Sequence, residues 1–396
     1  MTTRLPVLAF VALCVGVLQG QQPSTRIDVT ALGPQTGQPV PNFRLADQRG
    51  TIWTRDSIMG ANGAMLVFSR SVDWCPYCKT QVLELQSRLP ELKAKGLGLA
   101  VITYDSPAIM ADFSRRRGIT FPLLSDPGSP TIKAFGILNT TVLPTDTRSY
   151  GIPFPGTFLI DRRGRVTSRF FEEAYQERNT VSTILLKLGA SGTSAAAQRI
   201  STDHLDVTAY ASDEVVAPGS LFSVVFDITP RPGIHVYAPG ATGYRVVGFT
   251  PEAQPMVAAR ELQYPASEIY LFKPLNERVP VFQRRFRLTQ QMVVSAAQQD
   301  RPALARIEAM TIKGTLDYQA CNDEICFNPR SLPVAFTVKL RQLDTERATV
   351  SRYGGCGAGC GHPSARFPLT LDPAPTIMGA GSTLVLAGRP YGRRHA

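Results

Sequence analysis

The 396-residue sequence has little of what metal centres are built from, seven cysteines and four histidines, and it does not gather them. Cys75 and Cys78 have no second ligand pair nearby, since the next cysteine is Cys321, which argues against a zinc knuckle. Lys79 rather than histidine follows Cys78, which argues against haem attachment. Net charge is +11, yet Lys and Arg are scattered, so no nucleic-acid element is expected. Long hydrophobic runs are also missing. Leu5–Leu18 is short for a membrane span, and behind Arg4 and ahead of Gly20 it reads as a secretory signal over residues 1–20. A periplasmic or otherwise extracytoplasmic location follows, with an uncleaved anchor as the alternative. Leu18 is bulky for the usual cleavage site, and Leu13 is too large for a lipobox ahead of Cys14.

With the signal removed, six cysteines remain in three close pairs: Cys75/Cys78, Cys321/Cys326 and Cys356/Cys360. Export and paired cysteines fit an oxidising compartment. Structural bridges gain most from closing long loops, so such short spacings fit redox couples better.

The stretch Trp74-Cys75-Pro76-Tyr77-Cys78 organises the first half. Ala64–Phe68 ahead of it is apolar and long enough for one buried strand, while Cys78, Val82, Leu85, Leu89 and Leu92 mark one stripe of a helix. Pro76 suits the first helical turn. Cys75 then stands near a helix N-terminus, where free N–H groups and the dipole favour a thiolate. Cys78, starting the buried stripe, is expected to be shielded behind an exposed Cys75, as thiol–disulfide exchange requires. Residues 21–37 read as a linker. An α/β rhythm follows to residue 190, with strands at 97–104 and 121–124, a helix at 107–117, a hairpin over Gly156–Phe171 and a closing helix at about 175–188.

Residues 38–190 resemble the thioredoxin-fold superfamily in its peroxiredoxin and TlpA-like branch, through WCPYC, ITYDSPAIMADFSRRRGITFPLLSDP and PFPGTFLIDRRGRV. The branch matters for chemistry. Peroxiredoxins carry Thr or Ser three residues before the peroxide-attacking cysteine and Pro four before that; here Val72 and Phe68 stand there. Their peroxide-binding Arg is replaced by Pro155. Thioredoxin-like reductases keep a cis-proline at that place, a role Pro155 fits, with Pro153 as a substitute. The resemblance therefore implies dithiol exchange through Cys75, Cys78 and Pro155 ahead of peroxide reduction, because chemistry follows the site.

Residues 191–201 are small and polar, a linker by composition. Beyond them helical periodicity fades and short strand candidates alternate with Pro, Gly and Asp: 204–210, 221–228, 244–249, 268–272, 281–288 and 312–318. That spacing predicts an all-β, immunoglobulin-like sandwich over 202–342. Tyr318–Pro329 and GIHVYAPG resemble the N-terminal domain of the thiol–disulfide interchange protein DsbD. The resemblance implies an electron carrier in which Cys326 attacks partner proteins and Cys321 is its mate; a stabilising hairpin disulfide is the plainer reading. His235 reads as a strand-end histidine satisfied by a carbonyl, with a redox-tuning base as the alternative. Tyr237 caps the cysteine pair or simply packs in the core.

Residues 343–396 are rich in Gly, Pro and Ala, and disorder is expected over much of them. Cys356, Cys360 and His362 form a weak soft-metal candidate there. The expected function is an exported thiol–disulfide oxidoreductase passing electrons between the two couples. Its partners would be protein dithiols or disulfides, fed by a membrane or soluble electron donor. No cofactor is implied. The alternatives are a thiol peroxidase acting through Cys75 and a non-enzymatic metal-binding or interaction module.

Overall fold

The computed structural model describes residues 28–189, 196–272 and 276–349. The signal-like segment and the Cys356, Cys360, His362 group lie outside them.

The first module runs β1 (Arg44–Asp47), β2 (Ile52–Thr54), α1 (Arg55–Ile58), β3 (Gly63–Phe68), α2 (Pro76–Ala94), β4 (Leu97–Thr103), α3 (Pro107–Arg117), β5 (Leu123–Ser125), α4 (Pro130–Ala134), β6 (Gly156–Ile160), β7 (Val166–Phe171), β8 (Arg178–Asn179) and α5 (Val181–Lys187). Its sheet has the order β2-β1-β5-β4-β3-β6-β7, parallel among β3, β4 and β5 and antiparallel at β6. This is the thioredoxin-like fold. β3 is central and buried along its whole length, so it reads as an unbroken apolar run rather than an alternation. Burying each of its large side chains contributes roughly 1.5–3 kcal/mol. The α2 stripe of Val82, Leu85, Leu89 and Leu92 packs with Met65 and Val67 of β3 in one core.

The second module is the all-β sandwich: β9 (Gln198–Ser201), β10 (Leu205–Ala211), β11 (Val215–Val216), β12 (Ser220–Pro230), β13 (His235–Tyr237), β14 (Gly248–Pro251), β15 (Val257–Gln263), β16 (Glu268–Phe272), β17 (Glu277–Phe282), β18 (Phe286–Val294), the short helix α6 (Arg301–Leu304), β19 (Ala309–Tyr318), β20 (Ala320–Cys321) and β21 (Arg330–Leu340). One sheet has the order β15-β18-β12-β10-β9; facing it are β11-β21-β19-β14 and β16-β17-β13-β20. Inward residues alternate with outward ones, as along β21, where Val334, Phe336, Val338 and Leu340 meet Phe222 and Phe226 of β12 in the core.

Several expectations are corrected. The closing helix begins only at Val181, because Arg178–Asn179 leaves helical conformation to pair in parallel with Ser220–Leu221 of the sandwich. The linker ends earlier than residue 201, since Gln198–Ser201 pairs with β10. The strand candidate 281–288 is two strands, broken at Gln283–Arg285. Residues 343–349 are ordered against the first module, held by ion pairs that composition does not reveal.

Candidate active site

The loop between β3 and α2 is built on one carboxylate. Asp105, just past β4, accepts from the Ser71 hydroxyl (2.9 Å), the Val72 N–H (2.7 Å) and the Thr103 hydroxyl (3.0 Å). Ser71 in turn accepts from the N–H groups of Asp73 and Trp74. Buried donors satisfied in this way hold the loop in one shape. Cys75 follows as the N-cap of α2, with Pro76 opening the helix. Its Sγ accepts the Cys78 N–H at 3.3 Å, taking a donor that would otherwise lack a partner.

Cys78 is buried as expected, but Cys75 is covered too, at 1% exposure. The shielding of only one sulfur is therefore corrected. Tyr77 completes the cluster, and Trp74, Ala296 and Leu343 pack against it. Ala296 comes from the sandwich and Leu343 from the segment after β21, both beyond the reach of a reading of the first module alone. Tyr77 donates its hydroxyl to the Ala296 carbonyl (3.0 Å) and accepts from Arg301. Arg70 stacks over Trp74 and Tyr175 at 4.8 and 4.1 Å, contacts in which a guanidinium is attracted to the ring face.

The charge of the pair is distributed differently from the helix-end expectation. Burial alone would raise both thiols. Against it, the Cys75 thiol hydrogen-bonds Cys78, and Arg178 brings Nη2 to 3.7 Å from the Cys78 Sγ; together they hold Cys78 well below the ordinary thiol range. Burial and the neighbouring Cys78 push Cys75 well up. The hydrogen bond from Cys75 and the Arg178 guanidinium thus both favour charge on the Cys78 sulfur. Sequence reading did not find Arg178, which carries no motif and lies 100 residues downstream. Asp105 sits inside the ITYDSP stretch, but nothing in that stretch announces its role.

Pro155 is buried immediately before β6, whose Gly156 is the register partner of Phe68 at the end of β3. It thus lies beside the start of the cysteine loop. Val72 is fully buried and offers no hydroxyl.

At the second couple Cys321 and Cys326 form a disulfide across a tight loop. The Tyr237 hydroxyl lies 3.0 and 3.2 Å from the two sulfurs, and its ring stacks on Tyr244. Tyr237 therefore both caps the pair and packs in the core. His235 is the register partner of Cys321, and burial lowers its pKa. Its Nε2 is buried without a hydrogen-bond partner.

The two couples are linked through β12. β12 begins beside Arg178 and runs 11 residues to Pro230, where the chain turns into β13 against Cys321. At about 3.3 Å per residue that strand spans roughly 30 Å from the end beside Arg178 to the end that leads towards Cys321.

Comparison with known proteins fits both modules. Residues 36–169 match the AhpC/TSA family, and residues 206–338 match the family described as thiol:disulfide interchange protein DsbD, N-terminal. Alkyl hydroperoxide reductase E of Mycobacterium tuberculosis is 30% identical over 138 residues, 34% of this chain and 83% of that protein. The thiol-disulfide oxidoreductase ResA of Bacillus cereus is 26% identical over 145 residues, 36% of this chain and 74% of that protein. Among solved structures, peroxidoxin BcpB from Mycobacterium tuberculosis aligns over 36% of this chain and 89% of its own, with 24% identity and a TM-score of 0.32.

Proposed function

We propose, for a chain that belongs to the AhpC/TSA family and carries a DsbD-type N-terminal domain behind that module, a thiol–disulfide oxidoreductase whose working dithiol is Cys75/Cys78. The observation that carries this reading is the second thiol itself, one helical turn from the first and within 3.7 Å of the Arg178 guanidinium. Cys75 attacks a partner's disulfide while its proton passes to the Cys78 thiolate. One partner sulfur leaves as a thiolate, and the other stays bonded to Cys75. Cys78 then loses its proton to solvent and attacks the Cys75 sulfur, forming the Cys75–Cys78 disulfide and releasing the second partner thiolate. Two electrons pass to the partner and none is left over. Pro155, beside the cysteine loop, takes the place from which it would meet the partner's extended chain.

The second couple, Cys321/Cys326, is a carrier, with Cys326 as its attacking sulfur. We read exchange between them as running between molecules, because the length of β12 lies between Arg178, beside Cys78, and the turn that leads to the strand facing Cys321. The donor that reduces either couple is a protein dithiol, membrane-bound or soluble, outside the cytoplasm, the address that the Arg4 and Leu5–Leu18 pattern supports.

Peroxide reduction is the competing reading, and the similarity to alkyl hydroperoxide reductase E favours it. Against it stand Val72 and Pro155. The deciding experiment supplies the reduced protein with a disulfide protein and, separately, with hydrogen peroxide. Fast disulfide reduction with slow peroxide consumption supports the proposal, and Pro155→Arg should then raise peroxide turnover. Peroxide consumption outrunning disulfide reduction in the native protein reverses the assignment.

A further inference from the structure

Arg178 is placed by the sandwich, not by the module whose thiols it serves. Its two-residue strand lies outside the seven-stranded sheet and pairs instead with the start of β12. The Arg178 N–H donates to the Gly219 carbonyl (2.8 Å), and the Thr180 N–H donates to the Leu221 carbonyl (3.0 Å). Gly219 is itself fixed through its N–H to the Val294 carbonyl. A second tie runs from Arg260 of β15, which holds both carboxylate oxygens of Glu177 at 2.7–2.8 Å. Within its own loop the guanidinium donates only to the carbonyls of Tyr175 and Glu177, and these leave Nη2 directed at the Cys78 sulfur. The charged and titratable groups facing that sulfur are Cys75 on the same helical turn, Arg178 from β8 and Arg70 from the loop after β3.

We propose that docking of the sandwich switches on the dithiol of the first module, by carrying the Arg178 guanidinium to the Cys78 sulfur. Module docking and dithiol ionisation then vary together. This rests on the dithiol reading above and assigns Arg178 within it. The guanidinium favours the thiolate that accepts the Cys75 proton in the first step, and again the thiolate that attacks the Cys75–partner bond in the second. A cation this close lowers a thiol's pKa, and its removal returns the thiol towards the value set by burial.

The test is a pH titration of the reduced full chain, read by thiolate absorbance and assigned by alkylation with peptide mapping. Arg178→Gln should raise the first midpoint by about 1–3 pH units. Arg178→Lys should restore part of that shift, keeping the charge while losing the fork. The sandwich-side variant is Gly219→Ala: its φ is +85°, and an added Cβ would lie 2.3 Å from the Gln176 carbonyl oxygen. It should move the midpoint in the same direction. Arg260→Ala, half-exposed and bonded only to Glu177 among these groups, is the gentler sandwich-side variant should Gly219→Ala fail to fold, and should shift it less. An unchanged midpoint in Arg178→Gln, or no recovery with Lys, overturns the role of Arg178. A shift in Arg178→Gln with none in either sandwich-side variant overturns the coupling. The titration needs no substrate, so absent disulfide turnover with a normal titration counts against the dithiol reading alone.

Discussion

Arg347 forks onto Asp73, Nε to Oδ1 at 2.9 Å and Nη2 to Oδ2 at 2.6 Å, and the Ala348 N–H adds a third bond to the same carboxylate. Asp73 stands two residues before the N-cap cysteine. The segment after β21 is thereby strapped across the dithiol, with Leu343 packed on the cluster and Asp344 paired to Lys79 and Arg117. Exposed ion pairs contribute little, but Asp73, Lys79 and Asp344 are almost wholly covered. A charge left there without its partner would cost more than the pair contributes.

Loosening that strap should expose Cys75. Arg347→Ala removes the grip on Asp73 from a half-exposed position, so the fold should survive it. If closure weakens by about 1 kcal/mol, the open fraction rises about fivefold. Alkylation of Cys75 in the reduced protein should accelerate accordingly, measured by timed quenching and peptide mapping. An unchanged rate would mean that access is governed by Trp74 or the sandwich instead.

The two sulfurs should separate cleanly by substitution. Cys75→Ser should abolish disulfide reduction, because no other thiol of the couple can open the partner's bond. Cys78→Ser should attack more slowly, having lost the sulfur that takes the Cys75 proton, and should lose the release, so covalent mixed disulfides accumulate and are visible by non-reducing electrophoresis. Accumulation in Cys75→Ser instead would exchange the roles.

Glu84 gives a pH signature at the module interface. Its carboxylate accepts the Val181 N–H at 2.7 Å, and burial, then the nearby Asp213, push its pKa from 4.5 up to about 8. The folded state therefore holds a proton there that the unfolded chain has already lost. Stability from this group is full below about pH 4.5 and falls as pH rises to about 8, at no more than about 1.4 kcal/mol per pH unit. Glu84→Gln should flatten that decline, so its stability relative to the native protein should increase through this window. Urea unfolding at both ends of the window measures it. Parallel pH profiles for the two proteins would show that Glu84 is ionised throughout.

The fold was legible where side-chain periodicity reflects a single module's core. The β3 run and the Val82, Leu85, Leu89, Leu92 stripe bury against their own sheet, so their pattern needs no outside partner. Arg178–Asn179 read as helix because the strand it joins lies in another module, and a two-residue strand has no periodicity to display. The covering of Cys75 was illegible for the same reason: Ala296 and Leu343 reach it from more than 200 positions downstream. At the sandwich couple neighbouring strands bring Tyr237 and His235 to the two cysteines, but the carbonyl partner expected for His235 was not legible, its Nε2 being buried without a hydrogen-bond partner.

Exchange between the couples is open to direct capture. Replacing Cys78 and Cys321 by Ser removes the two sulfurs that would resolve a Cys75–Cys326 bond, so mild oxidation should trap it. A flexible tether would make that bond form within one molecule, at an effective concentration on the order of mM and independent of dilution. The structure argues otherwise. β8 and β12 pair, Arg88 reaches Asp213, and Arg301 reaches Tyr77, so the modules are docked with the length of β12 between Arg178 and the turn that leads to the strand facing Cys321. The trapped species should therefore be a disulfide-linked dimer, with Cys75 of one molecule joined to Cys326 of another and a rate that rises with protein concentration. Peptide mapping identifies the bond, and a dilution series identifies its order. A concentration-independent monomeric link would show that the modules undock to serve each other. Loss of the Arg178 contact during that motion would then appear as weaker ionisation of the dithiol.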